Sequence, residues 1–86
     1  MQQVLEAISD PNRRKILNAL KSGEKSVTEL AQDLSISGAS ISHHLNKLKA
    51  AELIIQRREG QFIYYSIHTS VFEDAAQFVI EFFSKE

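Results

Sequence analysis

Apolar residues along this chain recur first at helical spacing, then as a β-rich block, then at helical spacing again. Val4, Leu5 and Ile8 form a short helical stripe, too short to persist alone in water, so it must pack on something. Asp10-Pro11 predicts the start of a second helix, because Asp accepts from first-turn amides and Pro suits the first helical position. Its apolar positions are Ile16, Leu17 and Leu20, and Lys21-Ser22-Gly23 closes it. Ser26-Val27-Thr28-Glu29 reads as a capping box opening a third helix that ends near Leu34. Ser35-Ile36-Ser37 breaks the pattern, and Ser37 caps a fourth helix running from Gly38 to about Ala51.

Residues 53–58 and 61–67 are rich in β-branched and aromatic side chains and predict a hairpin, with Glu59-Gly60 as its two-residue turn. With Thr69 or Ser70 as cap, Val71, Phe72, Ala75, Phe78, Val79, Phe82 and Phe83 then recur at three- and four-residue intervals to the end. The predicted fold is mainly α with a β-hairpin wing: four helices, a hairpin and a last helix. No repeat, linker or low-complexity stretch interrupts residues 1–86, which read as one domain.

Composition excludes several classes. There is no cysteine, hence no disulfide, thiolate metal site or cysteine nucleophile. No apolar run approaches the ~18 residues of a membrane span, and no leader pattern stands at the start, so a cytoplasmic protein without membrane insertion is expected. A formal charge of −1 argues at face value against a nucleic-acid binder. Its distribution reverses that: residues 10–60 hold nine Lys and Arg against six Asp and Glu, a balance of +3, and the acidic remainder lies mostly in the last helix.

On the fourth helix Ile41, Leu45 and Leu48 share one stripe, which places Ala39, His43 and Asn46 outward with Ser40, Ser42 and Lys47 on the flanks. Small residues at its start permit close approach, and the hydroxyl, imidazole and ammonium groups suit base edges and phosphates. Any surface helix has a polar outer face. Here, however, it follows a capped helix and a tight turn, and Arg57-Arg58 flank the hairpin tip, which together make a helix-turn-helix with a basic wing. The adjacent His43 and His44 diverge by about 100° and cannot form an i, i+4 metal pair; His44 falls beside the core as a packing or hydrogen-bonding residue. A lone His68 between hairpin and last helix reads as structural. No constellation combines nucleophile, base and stabiliser, so an enzyme is not expected.

The segments SDPNRRKILNALKSG, SVTELAQDLSISGASISHHLNKLKAAELI and RREGQFIYYSI resemble the ArsR-type family of bacterial winged helix-turn-helix repressors, over nearly the whole chain. The resemblance implies a homodimer built from the first and last helices, presenting two reading helices to successive major grooves of double-stranded DNA at an inverted-repeat operator. It places reading positions on Gly38, Ala39, Ser40, Ser42 and His43, and wing positions on Arg57, Arg58 and Gln61. Asn46 and Lys47 join them from the helical wheel. Gly38 and Ala39 stand where relatives carry longer polar groups, and Gln61 replaces a frequent Arg, which shifts weight toward shape readout. Val4, Leu5, Ile8, Phe78, Phe82 and Phe83 exceed what one small core needs and are expected at the dimer interface, the alternative being that they cover the hairpin.

Metal-sensing relatives carry Cys-x-Cys before the reading helix, where Ser26 and Thr28 stand here, or Asp and His on the last helix, which lacks histidine. No metal or cofactor is therefore expected. The expectation is a metal-independent, sequence-specific, autoregulatory repressor, relieved by dosage or by a sequestering protein partner. The alternative is a winged-helix protein-interaction module with little DNA affinity, which the acidic last helix would permit.

Overall fold

The helix-start signals at Asp10, Ser26 and Ser37 are used as the sequence predicts. In a computed structural model that describes residues 2–84, the Asp10 carboxylate accepts from the amides of Asn12 and Arg13 at 2.8 and 3.1 Å. The element order is α1 (Gln2–Ile8), α2 (Pro11–Leu20), α3 (Val27–Leu34), α4 (Gly38–Ala50), β1 (Ile54–Glu59), β2 (Phe62–Ile67) and α5 (Thr69–Ser84). The core joins Ile16, Leu17 and Leu20 of α2, Leu30 of α3, Ile41, Leu45 and Leu48 of α4, and Leu53 and Ile54 at the entry to the hairpin. Three helices and the base of the hairpin thus share one apolar centre, which fixes the angle between α4 and the hairpin.

Both strand-flanking corners depart from the simplest sequence reading. β1 and β2 pair antiparallel with Glu59 opposite Phe62, so the two turn residues are Gly60 and Gln61 rather than Glu59 and Gly60. Positive φ at Gly60 (+62°) but not at Gln61 is the mark of a type II′ turn, where Gly takes the first central position. Thr69 is already the first helical residue of α5, so neither Thr69 nor Ser70 stands before it as a cap.

A third edge of the sheet escaped the sequence reading. Lys25, in the loop between α2 and α3, exchanges both backbone hydrogen bonds with Tyr65 of β2, at 3.0 and 2.8 Å. β2 is therefore central, with β1 on one side and this loop on the other. One isolated pair lacks the length of a patterned strand, so no periodicity announces it.

The corner after α4 is closed by a Schellman motif. Glu52 takes φ +61°, its amide donates to Lys49 and that of Leu53 to Leu48, while Leu48 and Leu53 are both fully buried. His68 locks this corner to the start of α5: its amide donates to the Leu53 carbonyl, and its Nδ1 lies 3.0 Å from the Glu52 carbonyl, which can only accept, so Nδ1 is the donor. The imidazole is a structural clamp.

Beyond its first turns α5 leaves the domain. Only Val71 and Phe72 of its apolar residues join the rim of the core, and none of its residues is fully buried. The Cα radius of gyration, 13.9 Å, exceeds the about 12 Å of a compact chain this long, as a projecting helix requires.

Candidate nucleic-acid interface

Local backbone chemistry sets the helix-turn-helix. The Ser26 hydroxyl accepts from the Glu29 amide and the Glu29 carboxylate from the Ser26 amide, the reciprocal pairing predicted for α3. α3 ends with Ser35 in the left-handed region (φ +54°), and the amide of Ile36 returns to the Ala31 carbonyl at 3.2 Å. Ile36 packs on the core, which anchors the turn, and the Ser37 hydroxyl then accepts from Ser40 N at 3.1 Å to start α4.

The two faces of α4 separate as predicted. Ile41, His44, Leu45 and Leu48 are buried, whereas Gly38, Ala39, Ser42, His43, Asn46 and Lys47 are exposed and Ser40 is half-buried. His44 is 8% exposed and its Nδ1 has no hydrogen-bond partner, so it serves by packing, with its ring edge against His43 at 5.5 Å between centroids. A Cβ at Gly38 would meet only Val27 Cγ1, at an ordinary 3.8 Å. The backbone does not demand glycine there; its effect is to leave the first turn of the outward face bare.

The basic residues are less available than a charge count suggests. Arg13 donates through Nε to the Ala7 carbonyl and through Nη2 to that of Glu6, and Arg14 donates to the carbonyls of Ile8 and Ser9. Both cap the C-terminus of α1. Lys25 pairs with Asp33 at 3.4 Å, and Lys49 donates to the Gln56 amide oxygen at 3.1 Å. Arg57 holds Glu24 in a two-point contact, and that hydrogen bonding lowers the Glu24 pKa and raises that of Arg57. Among the described residues, the side chains of Lys15, Lys47 and Arg58 make no hydrogen bond or ion pair. Lys47 lies on the outward face of α4; Arg58 lies in β1 and the exposed Gln61 at the hairpin turn.

The residues expected at a dimer interface divide in two. Val4 and Ile8 pack against their own core. Leu5 (58% exposed), Phe78, Phe82 (66%) and Phe83 (70%) do not, so the distal aromatics of α5 do not cover the hairpin. Phe82 stacks with Phe78 and meets Phe83 edge to face, forming one aromatic surface open to solvent. Among the described residues no three His, Asp or Glu side chains converge as a metal site, and the Ser26 hydroxyl is committed to its capping box.

Residues 10–56, from the cap of α2 to the first half of β1, match the profile of the bacterial regulatory protein, arsR family. The transcriptional repressor SdpR of Bacillus subtilis (strain 168) is 51% identical over 85 residues, 99% of this chain and 94% of SdpR. The nodulation protein NolR of Rhizobium meliloti is 42% identical over 62 residues, 72% of this chain but only 51% of NolR. Among solved structures, an ArsR-like transcriptional regulator from Rhodococcus sp. RHA1 superposes with a TM-score of 0.91 over 98% of this chain and 79% of its own, at 28% identity. The chain belongs to the ArsR family of bacterial regulatory proteins, as a transcriptional regulator of winged helix-turn-helix fold and not an enzyme.

Proposed function

We propose that this chain acts as a homodimeric, metal-independent repressor that binds an inverted-repeat DNA operator through α4 and the wing. The observation that carries this reading is the outward face of α4: Gly38, Ala39, Ser40, Ser42, His43, Asn46 and Lys47 stand at or near the surface of a helix whose other face is fixed in the core. Small side chains on its first turn allow close approach to the groove, His43 and Ser40 suit base edges, and Lys47 suits a phosphate. The open aromatic face of α5, with Leu5 of α1, supports pairing with a second copy, which would place two reading helices about one turn of DNA apart. Hydroxyl groups at Ser26 and Thr28, where metal-sensing relatives carry thiolates, support a repressor that needs no ion.

The test uses a duplex selected from a randomised pool by the purified protein, or one carrying the region upstream of its own gene. Fluorescence anisotropy should show saturable binding that weakens steeply with salt. A dimer neutralising about six phosphates would lose about three orders of magnitude in affinity between about 50 and 200 mM salt. Failure to enrich any sequence, or binding without salt dependence, refutes the reading and favours a protein-interaction module.

A further inference from the structure

We infer that Arg57 positions the wing rather than contacting DNA, leaving Arg58 as the wing's arginine for the phosphate backbone. This rests on the DNA-binding reading above and assigns the two adjacent arginines different work.

The strut crosses the sheet formed by β1, β2 and the α2–α3 loop. Arg57 of β1 pairs in register with Tyr64 of the central β2, and its guanidinium carbon lies 5.1 Å from the centre of the Tyr64 ring. From there the side chain reaches the opposite edge, where Nε and Nη2 meet the two oxygens of Glu24 at 3.2 and 2.5 Å. Glu24 directly precedes Lys25, whose backbone is bonded to Tyr65. Arg57 thus spans all three edges on one face, with Glu59 adding a contact at 3.5 Å. A lone exposed ion pair contributes little, but here a two-point fork, a ring face and a backbone bridge constrain the same loop.

The fork is also what a phosphate would claim. Arginine binds carboxylate and phosphate with the same pair of parallel donors, so Arg57 cannot serve a phosphate in this way without releasing Glu24. Strand alternation separates the neighbour. Arg58 shares its face with Ile54, which is buried in the core, and with Gln56, whose side-chain oxygen accepts from Lys49 of α4. Arg58 therefore stands on the side of the sheet that carries the reading helix, and Arg57 on the other.

The test compares Glu24→Gln, Arg57→Gln and Arg58→Gln on the selected duplex across a salt series. Glu24→Gln removes a negative charge, so electrostatics alone would tighten binding; loss of the strut should instead weaken it about fivefold. Arg57→Gln should weaken binding by a similar factor with an unchanged salt slope, whereas Arg58→Gln should reduce the slope by about 0.9 per contacting subunit. In the DNA-free protein, amide relaxation at Gly60 and Gln61 should show a more mobile tip in the first two variants and not the third. Equal or tighter binding by Glu24→Gln, or a shallower slope in Arg57→Gln, overturns the inference. Absence of salt-dependent binding in the unsubstituted protein is a different result and sinks the DNA reading itself.

Discussion

The Nε of Arg13 donates to the carbonyl of Ala7 at 2.6 Å, and that bond holds the first helix onto the second. α1 is seven residues long, too short to persist alone, and its last carbonyls would otherwise be orphaned. Arg13→Ala should cost about 1–2 kcal/mol, the scale of a charge-assisted bond to a partly buried carbonyl. Because α1 also carries Leu5, the same change should weaken self-association. Urea denaturation and sedimentation equilibrium check the two effects separately.

The corner after α4 holds a residue whose backbone conformation favours glycine. Glu52 adopts φ +61°, which disfavours any residue with a Cβ, while its side chain is exposed. Glu52→Gly keeps the backbone carbonyl that faces His68 and relieves the conformational cost, offset in part by the greater freedom of glycine in the unfolded chain. Stability should rise by about 0.5–1 kcal/mol with DNA binding unchanged, read from urea midpoints and the anisotropy titration. A fall in stability would mean that the Glu52 side chain contributes something its exposure does not suggest.

What the sequence made legible follows from the range of the forces involved. Caps at Asp10, Ser26 and Ser37 act within three residues, and the stripe of Ile41, Leu45 and Leu48 is periodic, so helix starts and the two faces of α4 could be read directly. The corrections involve partners whose pairing no local pattern encodes. Glu59-Gly60 reads as the turn from sequence, but the strand register pairs Glu59 with Phe62 and puts Gln61 beside Gly60 instead. The Lys25–Tyr65 bridge and the Arg57–Glu24 pair join residues about forty and thirty-three positions apart, with no motif to link them. Arg13 and Arg14 belong to the basic balance of residues 10–60, yet both guanidinium groups are turned onto the last carbonyls of α1, a contact between helices that no local pattern encodes.

On the reading face, the side chains should separate by what they touch. His43→Ala or Ser40→Ala should relax sequence preference by about 1–3 kcal/mol wherever the residue pairs with a base. Lys47→Ala should weaken binding to all sequences alike and lower the salt slope by about 0.9 per subunit. Competition between the selected duplex and a scrambled one, repeated across salt concentrations, distinguishes these signatures. Unchanged preference in both His43 and Ser40 variants would refute the proposed reading face.

Acid should destabilise the fold through two identifiable carboxylates. The Arg13 amide is the largest influence lowering the Asp10 pKa below 3.8, and the Arg57 guanidinium is the largest lowering that of Glu24 below 4.5. Both bind protons more weakly folded than unfolded. Their contribution is therefore present above those ordinary values and is lost as pH falls through the folded ones. Asp10→Asn retains a capping oxygen but removes the titration, so urea midpoints measured between about pH 6 and pH 2.5 should fall less steeply than in the unsubstituted protein. A curve parallel to the parent would show that Asp10 does not titrate with folding.

The outer turns of α5 expose Phe78, Val79, Ile80, Phe82 and Phe83. Phe82 is not part of the core, so Phe82→Glu should leave the cooperative unfolding of α2, α3 and α4 intact in the isolated domain. A second copy covering this face would be repelled by the buried charge, because an unpaired carboxylate in an apolar interface is strongly disfavoured. Light scattering should therefore report a monomer, and DNA affinity should fall more than about tenfold as the two reading helices lose their linkage. Circular dichroism should show a modest loss of helix, since the distal part of a helix without a covering surface frays in water. A dimer that survives Phe82→Glu would place the second copy on a different face and remove α5 from the interface.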